Sequence, residues 1–74
     1  MPMYKLNVIP IIYKDKLILW KDGEIFIIEA EDEEEKILIR KLYEKIKRKD
    51  YLLDKEFGRI IPALLEYGIV SSSQ

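Results

Sequence analysis

The sequence predicts an α+β domain, an N-terminal three-stranded antiparallel meander followed by two or three helices. Three observations predict it. Asp22-Gly23 separates two runs of aliphatic and aromatic residues, Leu17-Ile18-Leu19-Trp20 and Ile25-Phe26-Ile27-Ile28. From Asp32 to Lys47, an acidic cluster and a basic cluster bracket apolar residues at helical spacing. A last apolar stripe carries Pro62 near its start and Gly68 just past its end.

Composition narrows the class. The 74 residues make one domain, residues 1–74. A chain of this size buries only about 60% of its unfolded surface on folding and usually needs a disulfide, a metal or a partner for robustness. Cys and His are both absent. That removes disulfides, zinc sites and imidazole catalysis, leaving association with a partner or a thermophile-like composition. Thirteen Ile, ten Lys and nine Glu stand beside one Asn and one Gln, a charged, amide-poor bias that fits a thermophile. An AT-rich genome gives a similar bias. The net charge is −1 and the isoelectric point is near 5.4, which argues against a broad polyphosphate-binding surface. No apolar run approaches the roughly 20 residues of a membrane span, and the first residues lack the apolar core of a signal peptide. The expectation is a soluble cytoplasmic protein without membrane contact.

The first strand is expected over residues 4–13. Pro10 cannot donate to a ladder, so this strand belongs at a sheet edge or carries a bulge. Lys14-Asp15 is a plausible turn into a second strand, residues 16–21, pairing Ile12 with Leu17, Ile11 with Ile18 and Ile9 with Trp20. Asp-Gly tolerates the positive φ angles of a type I′ turn and leads into a third strand, residues 24–30. That turn sets the register: Lys21 faces Glu24, Trp20 Ile25, Leu19 Phe26, Ile18 Ile27, Leu17 Ile28 and Lys16 Glu29. Opposite charges close both ends. Alternation then places Ile9, Ile11, Ile18, Trp20, Ile25 and Ile27 on one face and Val8, Pro10, Ile12, Leu17, Leu19, Phe26 and Ile28 on the other. Both faces are apolar, whereas a sheet with one solvated face alternates apolar and polar. The plainer alternative is that helices and termini cover both faces. We expect the second face to be at least partly completed by another chain.

The first helix is expected over residues 32–47, its acids at the N-terminus and bases at the C-terminus matching the helix dipole. The carboxylate cluster at its start resembles a cation site only superficially, because a solvated helix start needs no metal and no calcium loop is present. Asp50 can cap a short second helix over residues 51–57, interrupted at Gly58. A third helix follows over residues 59–67, with Pro62 tolerated in its first turn and Gly68 as an αL stop. Ile69-Val70 reads as a short extended end and residues 71–74 as a frayed tail.

The ending Ile61-Pro62-Ala63-Leu64-Leu65-Glu66-Tyr67-Gly68-Ile69-Val70 resembles the way winged-helix domains finish a helix. With its β-meander placed first, the chain resembles the PqqD-like family, the RiPP recognition elements that bind leader peptides. The resemblance covers most of the chain and rests on element order. It implies a winged-helix-like fold and a peptide added as an extra strand beside the third strand, against the last helix. On this chain that site comprises Glu24, Ile25, Phe26, Ile27 and Ile28, with Trp20 opposite, and Ile60, Leu64 and Tyr67 from the helix. Core packing is the plainer role for the last three. The residues independently allow strand addition, because the third strand is an Ile- and Phe-rich edge without a Pro to block pairing.

Two function classes follow. The first is a non-enzymatic peptide- or protein-binding module or small assembly subunit, acting by strand addition or as a homo-oligomer. The alternative is a winged-helix-like nucleic-acid-binding regulator using Arg40, Lys41, Lys45, Lys47, Arg48, Lys49 and Arg59, with Tyr43 and Tyr51 nearby. An enzyme is not expected, and neither is a cofactor or metal. No carboxylates form a recognisable acid/base set, Ser71 to Ser73 have no His partner, and no Gly-rich phosphate loop is present.

Overall fold

The structure, a computed structural model, describes residues 3–72. It is α+β, with the central hairpin in the expected register. Strands β3 (Lys16–Lys21) and β4 (Glu24–Glu29) pair from Lys16 opposite Glu29 through Lys21 opposite Glu24. Asp22 (φ 54°) and Gly23 (φ 78°) both take the left-handed angles that a type I′ turn requires. Lys16 Nζ lies 3.4 Å from Glu29 at the open end.

The expected first strand divides in two. Strand β1 (Tyr4–Leu6) and strand β2 (Ile11–Tyr13) lie in different sheets. Between them the chain leaves the ladder: Asn7 N–H donates to the Ile69 carbonyl at 2.8 Å, and Pro10 has no N–H to offer. The β2–β3 ladder therefore holds the expected Ile11–Ile18 and Ile12–Leu17 pairs, while the expected pairing of Ile9 with Trp20 is not part of it. Val8, expected to share a face with Leu17 and Leu19, is exposed for the same reason.

Helix α1 (Glu33–Lys47) starts where expected. Asp32 caps it by accepting from Glu35 N–H at 3.0 Å, and Glu35 reaches back to Glu31 N–H. At its end Asp50 N–H donates to the Lys45 carbonyl and Lys49 N–H to that of Ile46, with Lys49 at φ 59°. This is a Schellman closure with lysine where glycine is common. Lys49→Gly relieves the strained φ and is expected to raise stability by about 0.5–1 kcal/mol in urea unfolding.

The expected second helix is replaced by two shorter pieces. Strand β5 (Leu52–Leu53) pairs with β1, and a 3-10 turn (Lys55–Phe57) follows, capped by Asp54. Asp50 does not cap a helix. Its carboxylate accepts from Lys45 Nζ at 2.8 Å and from Leu52 N–H at 3.4 Å, which favours the extended turn into β5. The Lys45 hydrogen bond, then that of Leu52, holds the Asp50 carboxyl below its ordinary 3.8. A depressed carboxyl stabilises the fold above its unfolded pKa and loses that contribution as pH falls below it. Asp50→Asn is thus expected to lower Tm at neutral pH, with the difference vanishing as pH falls below about 3.8.

Helix α2 (Ile61–Glu66) is shorter than the expected 59–67, with Pro62 in its first turn. Gly68 (φ 70°) stops it as expected, and Ile69 N–H donates to the Leu64 carbonyl at 2.8 Å. Strand β6 (Val70–Ser72) then pairs with β1, so Ser71 and Ser72 are strand residues rather than tail. Ser73 and Gln74 lie outside the described residues.

The two sheets, ordered β5-β1-β6 and β2-β3-β4, share one core with the helices. Leu17 and Leu19 of β3, Ile39 and Leu42 of α1, and Leu64 of α2 are buried in it. No helix among the described residues is long and apolar enough to cross a membrane.

Candidate functional site

Strand β4 borders its sheet, so its outer side has no neighbouring strand among the described residues. A two-residue hairpin makes Lys21 and Glu24 a hydrogen-bonded pair, and the pattern alternates from there. Phe26 and Ile28 therefore turn their backbone groups toward β3, whereas Ile25, Ile27 and Glu29 turn theirs outward. Ala30 N–H, donating to the Asp15 carbonyl at 3.1 Å, continues the alternation.

The side chains divide along the same strand. Phe26 and Ile28 point inward, half-buried, while Ile25 and Ile27 are exposed on the sheet's outer face. Helix α2 lies on the inward side, where the Phe26 and Tyr67 rings sit 5.4 Å apart at 48°. Two hollows flank this contact. One, about 260 Å³, has Ile28, Pro62 and Ala63 in its walls and Glu29, Glu31, Glu35 and Arg59 at its rim. The other, about 350 Å³, lies between Lys21, Asp22, Glu24, Phe26, Glu66 and Tyr67. The polar rim is mainly carboxylate.

The structure brings Glu24, Ile25, Phe26, Ile27, Ile28 and Tyr67 together along this border. Trp20 stands opposite Ile25 on the outer face and is 68% exposed. Ile60 and Leu64 are buried core residues that support α2 from beneath. Sequence reasoning missed Pro62 and Ala63 as wall residues, because only the packing of α2 against β4 reveals them. It also missed Tyr13, two positions beyond Ile11 on the outer face, which simple alternation could have found.

The basic residues are largely engaged by carboxylates. Lys41 pairs with Glu56 at 2.9 Å, Lys45 with Asp50 at 2.8 Å, Lys47 with Glu44 at 3.6 Å and Arg40 with Asp15 at 3.8 Å. Arg59 contacts Asp32 closely, Glu34 at 2.7 Å and Glu35 at 3.6 Å. The Asp32 carboxylate, reinforced by Glu34 and Glu35, raises the guanidinium pKa above its ordinary value. Of the run, Arg48 and Lys49 make no ion pair among the described residues. Arg59 ties the start of α1 to the start of α2, so Arg59→Gln is expected to lower Tm, with the difference narrowing at high salt.

Compared with protein-family models, curated proteins and solved structures, the chain matches none.

Proposed function

We propose that the chain is a non-enzymatic peptide- or protein-binding module that takes an extended segment as a new strand on β4, beside α2. The observation carrying this reading is the unpaired β4 border, with outward backbone groups at Ile25, Ile27 and Glu29 running along the α2 groove. Main-chain hydrogen bonds would supply affinity and the hollows around Phe26 and Ile28 would select side chains. Glu24, Glu31 and Glu66 make no ion pair among the described residues, so the rim suits a segment with apolar residues and flanking cations. The PqqD-like resemblance implies the same mode at the same strand and helix, which adds weight to the reading.

The test is selection from a display library of random peptides, with Ile27→Pro as counter-bait. Proline at Ile27 removes an outward N–H while leaving the β3 ladder its partners. Selected peptides are expected to bind the parent chain and to lose at least about tenfold affinity for Ile27→Pro. Failure to enrich any sequence, or equal binding by Ile27→Pro, contradicts strand addition.

A further inference from the structure

The helices cover only one face of the β2-β3-β4 sheet. Ile11, Tyr13, Trp20, Ile25 and Ile27 stand on the other, each more than half exposed, with Ile18 half-buried among them. Together they present on the order of 600–700 Å², above the 300–600 Å² of the largest patch on a typical monomer. We propose that this face is a homodimer interface, closed by the same face of a second copy packed as a two-sheet sandwich.

Three observations select a second copy. The exposed area approaches the roughly 800 Å² per partner of a standard interface. Lys16 and Glu29, at one end of the face, pair with each other at 3.4 Å. The Lys16 and Glu29 charges on the face are thus balanced, so it meets its own copy without like-charge repulsion from them. Its one further cation, Lys14, lies against the Tyr13 ring at 5.5 Å from the centroid, at the margin of the apolar patch. A pleated three-stranded face is also the shape that another such sheet fits, about 10 Å away. With one sheet face bare, dimerisation adds a second apolar layer to the core already shared by the sheets and helices. This interface is distinct from the β4 border groove. The groove uses the outward main chain of β4 and the inward side chains, whereas the dimer uses the outward side chains.

Sedimentation velocity of the full chain, combined with iodide quenching of Trp20, the sole tryptophan, tests the proposal. The expected species has twice the 8.9 kDa chain mass, with Trp20 shielded and becoming quenchable on dilution. Trp20→Glu and Ile11→Lys, on separate strands, are each expected to weaken association by roughly thirtyfold, as for a central interface anchor. A monomer at every concentration with Trp20 freely quenched overturns the proposal, whether or not either variant folds. So does a monomer that binds lipid vesicles through Trp20. A dimer that survives both face variants but is lost when the Ile27 amide is N-methylated in a synthetic chain overturns it too, by assigning association to the β4 border. Loss of peptide binding on N-methylation of the Ile27 amide, which removes the outward N–H and keeps the side chain, with the dimer intact, separates the border groove from this face.

Discussion

Leu42→Ala is expected to lower stability by about 2–5 kcal/mol, a large part of the roughly 4–11 kcal/mol available to a chain of this length. Leu42 is fully buried in the middle of α1, where helix and sheet share the core. Removing its isobutyl end leaves a cavity that the rigid β3–β4 hairpin cannot readily collapse into. Urea unfolding followed by circular dichroism reads the loss directly. The exposed Ile37 of the same helix provides the contrast, because Ile37→Ala is expected to stay within about 0.5 kcal/mol of the parent. Equal losses at the two positions would mean that α1 does not pack by the face described.

Gly23→Val carries the second large effect, and its cause is backbone rather than packing. A Cβ at Gly23 meets no atom within 4 Å, so the side chain finds open space. The penalty arises because φ is 78°, a left-handed angle that a β-branched residue adopts at a cost of about 1–2 kcal/mol or more. Gly23→Asn, which tolerates that region, is expected to lose much less. The consequence reaches beyond stability, since the turn sets the register. A slip of one residue moves Leu17 and Leu19 out of the core and Ile18 and Trp20 into it. Gly23→Val is therefore expected to broaden or multiply the amide resonances of Trp20 and Ile25, which Gly23→Asn leaves single.

That dependence explains what was legible in the sequence. Asp22-Gly23 is a local signal whose conformational requirement belongs to the two residues themselves, so the whole β3–β4 register followed from it. Asp32, the acidic first turn and Gly68 are local in the same way. The misread segments depend on distant partners. Leu52-Leu53 sits between helix-forming residues, yet becomes a strand because Tyr4 and Lys5 lie alongside it. Ser71-Ser72 looks like a tail, yet pairs with the same strand from the other side. Residues 4–13 read as one largely apolar strand, but β5 and β6 pair with the first part and the Ile69 carbonyl takes the Asn7 N–H, which draws that part into another sheet.

The candidate site divides along the same line. The outer face came from alternation alone, because side-chain direction in a strand is fixed by sequence parity. The groove did not, since it needs α2 to lie against Phe26. Arg59 reads as a nucleic-acid contact from its place at the start of the last expected helix. Its carboxylate partners lie more than twenty residues earlier in the chain, at the start of α1.

Hydrogen exchange along β4, measured residue by residue in the free chain, tests the open border most directly. Fast exchange at the Ile25, Ile27 and Glu29 amides, alternating with slow exchange at Phe26 and Ile28, is the expected pattern, and it persists in a face-to-face dimer. Uniform protection across Ile25 to Glu29 would mean that the border is already occupied and would contradict strand addition on β4.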